Sequence, residues 1–185
     1  MRNILFIILL MATSGAWAQT TMRSVFIAMP DTIVPYLTQN NRLDFADFID
    51  SGMKAEVPNS LDGKSRMDQM TDRHALLTLS ESSQIELLLL DSTEAYNGMA
   101  QIVCIIWTYG TNTRESVVHF FTTAWHELPT NRFALLPDDM FTASFSDEFQ
   151  LVLKPSGYFD TPANEEQKNN PKMSTILKWD GKRFN

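Results

Sequence analysis

Carboxylates spaced along one segment, three scattered histidines and a single cysteine are the side chains of this 185-residue chain most able to do chemistry. Asp44, Asp47 and Asp50 recur every third residue, close enough on a helix to share a cation or to shift one another's pKa. A calcium loop would need alternating oxygen ligands around a glycine and a closing glutamate, and that string is absent, so the three read as a solvated acidic helix face. His74, His119 and His126 belong to no His-Glu-x-x-His motif and have no Cys-x-x-Cys nearby. His119 and His126 fall on opposite faces of an unbroken strand, because their separation is odd. Cys104 and His119 lie on neighbouring expected strands, where register could pair a thiol with an imidazole for nucleophilic catalysis. Cys104 is flanked by Val103 and Ile105, however, which reads as a buried structural thiol rather than a reactive one. With no nucleophile elbow, phosphate-cradling loop or dinucleotide fingerprint, the sequence assigns no catalytic residue, no metal ligand and no cofactor.

A second kind of chemistry is recognition by flat rings. Trp107, Tyr109, Trp125 and Trp179 could build an aromatic platform for a glycan or peptide if they emerged together on an open sheet face. Aromatics alternating along strands also serve a half-buried sheet, so the platform depends on which face each residue takes.

Those faces are set by the elements. Gln19 to Phe26 reads as a polar entry, with at most a short strand around Val25. Pro30, Ile33, Val34 and Leu37 have helix-like spacing from Met29 onward, although Pro35 restricts the helix to a short or irregular one. Asn41 to Ser51 reads as a helix, with Asn41 as cap, an apolar stripe at Phe45, Phe48 and Ile49, and Gly52 as the stop. Lys54 to Arg73 is a transition holding Asp62-Gly63, a favoured tight-hairpin pair. The period then changes to two. His74–Ser80, Gln84–Leu90, Ala100–Tyr109 and Glu115–Trp125 read as strands with short links, hence antiparallel neighbours in a meander. Ile102 to Trp107 lacks alternation, which predicts a central strand covered on both faces. Phe141–Phe145 and Phe149–Leu153 read as a further hairpin, Pro155–Lys172 as a long mobile polar loop, and Ser174–Trp179 as a last strand turning at Asp180-Gly181. The expected fold is a single α+β domain with short N-terminal helices packed on an antiparallel sheet of about six to eight strands.

The ends and composition bound the setting. Arg2, an apolar run from Ile4 to Ala12 and Ala16-Trp17-Ala18 form a cleavable signal peptide over residues 1–18. The run is too short to span a bilayer, and the lone Cys104 lies far from any processed end, so neither a membrane anchor nor a lipid anchor is expected. One cysteine also excludes an internal disulfide. The net charge of −7 becomes −8 once Arg2 is removed, which argues against nucleic acid or anionic lipid as a partner.

The stretch MPDTIVPYLTQNNRLDFADFIDSGMKAEVPNSLDGKS, followed by HALLTLSESSQIELLLL and IVCIIWTYGTNTRES, resembles the exported Bacteroidales family catalogued as domain of unknown function 3256. The resemblance implies a secreted or periplasmic protein of a Gram-negative anaerobe and supplies no activity. The expected function is therefore a noncatalytic envelope protein that binds a protein, peptide or glycan. The alternative is a hydrolase whose dispersed active site leaves no motif.

Overall fold

In the computed structural model of the protein, residues 20–96, 98–146, 149–156 and 174–185 are described. The expected signal peptide at 1–18 and the expected loop beyond Ser156 lie outside the described residues.

The first helix begins earlier than the expected one. Helix α1, Met22–Ile27, is capped by the Thr21 hydroxyl, which accepts from the Ser24 amide while the Ser24 hydroxyl accepts in return from Thr21. Met22, Val25 and Phe26 recur at i, i+3 and i+4 and are all buried, a stripe hidden in what reads as a polar entry. The helix expected from Met29 does not form. In its place the chain makes turns, with the Ile33 amide donating to the Pro30 carbonyl and the Leu37 amide to that of Val34, both at 3.0 Å. Pro35 lacks the N–H that an α-helix would aim at Asp31, so Val34 and Leu37 reach the core from turns instead. Helix α2, Gln39–Asp50, starts ahead of Asn41. Thr38 is the cap, and Asn41 completes a reciprocal box by accepting from the Thr38 amide at 2.9 Å. Gly52, at φ 66°, ends the segment as expected.

Seven strands follow as a meander, each antiparallel to the next: β1 Glu56–Pro58, β2 Lys64–Met70, β3 His74–Ser80, β4 Ser83–Tyr96, β5 Met99–Tyr109, β6 Glu115–Thr122 and β7 Glu127–Leu128. The Asp62-Gly63 pair sits in the β1–β2 turn, with Asp62 at φ 57°. Strand β5 is central and covered on both sides: Ile102 to Ile106 are at most 1% exposed. Val103, Ile105 and Trp107 face a core shared with α1, α2 and the 29–37 turns. Ile102, Cys104 and Ile106 face a second core, closed by a separate sheet of β8 Phe141–Phe145, β9 Leu151–Pro155 and β10 Thr175–Leu177 in the order β10-β9-β8. The short helix α3, Thr130–Phe133, links the two sheets and plugs Phe133 into that second core. The result is an α+β domain of three layers, helices on one face of a large sheet and a small sheet on the other. The seven-stranded sheet matches the expected antiparallel sheet of six to eight strands, and the separate three-stranded sheet is added to it.

Among the described residues, no helix is long and apolar enough to cross a membrane. Cys104 is fully buried, and burial, reinforced by the charge of Glu86, pushes its thiol well above the ordinary range. A thiol held protonated and covered is a poor nucleophile. Thiol reagents should accordingly label Cys104 only as the protein unfolds, at a rate that tracks denaturant. Rapid stoichiometric labelling of the native protein would contradict this packing.

Candidate functional site

The strand period decides which candidates can meet. On β5 the residues Trp107 and Tyr109 share the helix-bearing face, and register pairs Trp107 with Val117 and Ile105 with His119 on β6. Val117, His119 and Phe121 therefore stand beside the two rings on the same face. The turns after α1 bring Ile33, Pro35 and Tyr36 over the ends of these strands, and β7 adds Glu127. Together they line an open groove of about 370 Å³.

Its geometry is that of a stacked ring pair with a polar rim. The Trp107 and Tyr109 rings are nearly parallel, 9° apart with centroids 5.7 Å from one another. Trp107 is 9% exposed and forms the base, whereas Tyr109 is 43% exposed and presents its ring to solvent. Partial burial, with the nearby Tyr36 phenol as a smaller contribution, raises the Tyr109 hydroxyl above its ordinary pKa and keeps it a neutral donor at physiological pH. At the other end, the His119 Nδ1 lies 3.1 Å from a Glu127 carboxylate oxygen. An Nδ1–H donated to that carboxylate orients the imidazole and leaves Nε2 available at the rim. Val117 is 42% exposed between the two ends. Across the β4–β5 ladder from Tyr109, the Ser83 hydroxyl is buried and has no hydrogen-bond partner among the described residues.

The groove wall depends on an arginine that the sequence does not flag. Arg42 on α2 is only 2% exposed. Its guanidinium donates to the Leu37 carbonyl and to Asp31, both at 2.7 Å, pinning the turns that carry Pro35 and Tyr36.

The remaining candidates are placed elsewhere. Trp125 contacts Phe121, a groove residue, at 5.6 Å between centroids, but its indole points inward and donates to the Val25 carbonyl. Trp179 is half-buried and packs against the second core on Phe133 and Phe184, its indole N–H donating to the Asp91 carbonyl at 2.6 Å. The four-residue platform therefore reduces to Trp107 and Tyr109. Asp47 and Asp50 face Arg23 of α1, at 3.6 and 3.0 Å, and Asp44 is exposed. Among the described residues, no three of His, Cys, Asp or Glu come together as a metal site. Cys104 pairs with Phe120, so His119 projects from the opposite face and the thiol–imidazole pair does not form. His126 lies 3.5 Å from the buried Thr122 hydroxyl in the turn after β6.

Among the described residues, a second histidine–carboxylate pair is largely covered. His74 Nε2 lies 2.8 Å from Glu86, whose second oxygen accepts from the Phe145 amide at 3.2 Å. Glu86 thereby latches the two sheets. Beside it, a cleft of about 260 Å³ contains Gln84, Arg114, Thr142 and Lys154. With both carboxylate oxygens engaged, Glu86 is held as a structural tie between β3, β4 and β8.

Tyr36, Val117 and Glu127 are not among the candidates the sequence offers, and His119 is among them only as a histidine ligand or a partner for Cys104. The pairing of β5 with β6 across Gly110 was available for Val117 and His119. Nothing local pointed to Tyr36, which arrives from a segment that reads as a helix.

Comparison with known proteins agrees with this architecture. A solved structure of a domain of an uncharacterized protein from Porphyromonas gingivalis W83 superposes with a TM-score of 0.71, covering 88% of this chain and 96% of that one. The two sequences are 18% identical, so the likeness is one of fold. None of the curated proteins matches the chain. The family model described as "Protein of unknown function (DUF3256)" matches residues 14–154, which include α1, α2, the whole seven-stranded sheet and nearly all of the β8–β9 hairpin. By that match the chain belongs to the DUF3256 family.

Proposed function

We propose that this is an exported, noncatalytic envelope protein that binds a protein, peptide or glycan through the aromatic groove. The observation that carries the reading is the parallel Trp107–Tyr109 pair, left half-open beside a rim of His119, Glu127 and Tyr36. Rings held by strands keep their geometry without ligand, so little ordering cost attends binding. Export rests on the Arg2–Ala18 leader, and the acidic chain supports a partner other than nucleic acid.

The hydrolase alternative draws on the two histidine–carboxylate pairs. Neither pair has a hydroxyl or thiol nucleophile hydrogen-bonded to its imidazole among the described residues, and Cys104 is covered. The test uses the protein from Gln19 to Asn185 with envelope extract, peptidoglycan fragments and glycan and peptide panels, read by thermal shift and by product analysis. Stoichiometric stabilisation without turnover is expected. Time-dependent consumption of any compound that occupies the groove would overturn the noncatalytic reading.

A further inference from the structure

We infer that the occupant of this groove is an uncharged oligosaccharide, a conclusion that rests on the groove being the binding surface.

Charge comes first. The lining residues include no lysine or arginine, and Glu127 is the one carboxylate among them. An acidic glycan, a phosphorylated ligand or a nucleic acid would meet the Glu127 carboxylate with no lysine or arginine to pair with. A pyranose ring has an apolar C–H face and an equatorial belt of hydroxyls, each both donor and acceptor. The exposed Tyr109 ring offers the flat apolar surface. His119, Glu127 and the Tyr36 phenol offer acceptors and donors at its margins, and Glu127 is an acceptor that sugar hydroxyls satisfy.

Backbone pairing disfavours an extended peptide. The groove crosses the face of β5 and β6, whose ladder runs unbroken from Ile102–Thr122 to Tyr109–Glu115. On the outer edge of β6, β7 pairs with Phe120 and Phe121 and the Thr130 hydroxyl donates to the Val118 carbonyl, which leaves a peptide adding as a strand only a short stretch of edge beside the groove. A proline-rich peptide in an open left-handed helix needs fewer such partners and can also lie on aromatic rings. Its carbonyls could accept from the Tyr36 and Tyr109 phenols, but a chain poor in N–H groups would leave the Glu127 carboxylate without a donor. The hydroxyl-rich ligand is the one matched at every named group.

The test is a titration of the Gln19–Asn185 protein against an array of neutral oligosaccharides, cello-, malto-, xylo-, manno- and chito-series among them. Oligogalacturonates serve as the acidic arm and a proline-rich peptide library as the third. At least one neutral series should bind, with Tyr109→Ala weakening it by roughly 10-fold or more and Tyr109→Phe, which keeps the ring, by roughly 3-fold or less. Thermal unfolding of each variant confirms that the fold persists. Binding confined to the acidic arm, or neutral binding indifferent to Tyr109→Ala, overturns the inference. Peptide binding that is lost with Tyr109→Ala overturns the glycan while leaving the groove as the binding surface. Absence of any Tyr109-dependent binding in all three arms overturns both.

Discussion

Trp125→Ala should destabilise the protein by about 3–5 kcal/mol, more than any other single truncation on the helix-bearing face. Three contributions act together. The side chain is 8% exposed and packs on Phe121, so its removal opens a large cavity between α1 and the sheet. Its indole donates to the Val25 carbonyl at 3.0 Å, satisfying a last-turn acceptor of a six-residue helix too short to persist alone. Its backbone is at φ 66°, a conformation that a bulky residue adopts only when its surroundings impose it. Trp125→Gly would relieve the backbone cost, about 1 kcal/mol, and should be slightly less damaging than alanine despite losing more atoms. Trp125→Phe keeps most of the packing and should cost about 1–3 kcal/mol for the orphaned carbonyl and remaining void. Urea unfolding of the three variants checks the order. A Trp125→Ala loss below about 1 kcal/mol would mean that α1 is held by something else.

Arg42→Met should cost about 2–3 kcal/mol and should also disorder the groove wall. Methionine fills much of the aliphatic volume, so the loss isolates the guanidinium. Asp31, 62% exposed, rehydrates when its partner goes, and contributes little to the penalty. The Leu37 carbonyl is different, because its bond with Arg42 is buried and no donor replaces it. The turns from Pro30 to Leu37 then lose their tie to α2, and Tyr36 moves from its place beside Tyr109. The expected result is paired: a lower urea midpoint, and shifted or broadened Tyr36 resonances with weaker ligand binding. An unchanged midpoint with unchanged Tyr36 resonances would show that the turns are self-supporting.

The sheet was legible because alternation and short links are local signals. β3 has the bounds that its apolar run predicts, and the two-sided burial of β5 follows from its unbroken Ile and Val content. The identity of the second cover was not legible. Which layer lies over Ile102, Cys104 and Ile106 depends on β8 and β9 folding back from some 40 residues downstream, a long-range choice that the β8–β9 pattern does not encode. The two ends of the N-terminal region failed for opposite reasons. Met22, Val25 and Phe26 form too short a stripe to stand out from polar neighbours, whereas the longer stripe from Ile33 to Leu37 is broken by Pro35. Arg42 escaped notice because an arginine on an amphipathic helix ordinarily reads as solvent-facing.

The candidate site was half legible on the same grounds. Trp107 and Tyr109 are two residues apart on one strand, and so must share a face. Trp125 and Trp179 are separated from them by turns that sequence period cannot follow, and the structure sends one inward and the other to the opposite side of the sheet. His119 enters through cross-strand register rather than through any histidine motif.

The central claim is that ligand lies on the rings of Trp107 and Tyr109. It is tested most directly by mapping amide and aromatic chemical shifts during titration with the neutral oligosaccharide that binds best. The largest changes should fall on Tyr36, Trp107, Tyr109, Val117 and His119, with Cys104 and Trp179 unmoved. Changes centred on Arg114, Thr142 and Lys154, in the cleft between the two sheets, would contradict the account and move the binding site to the other side of the molecule.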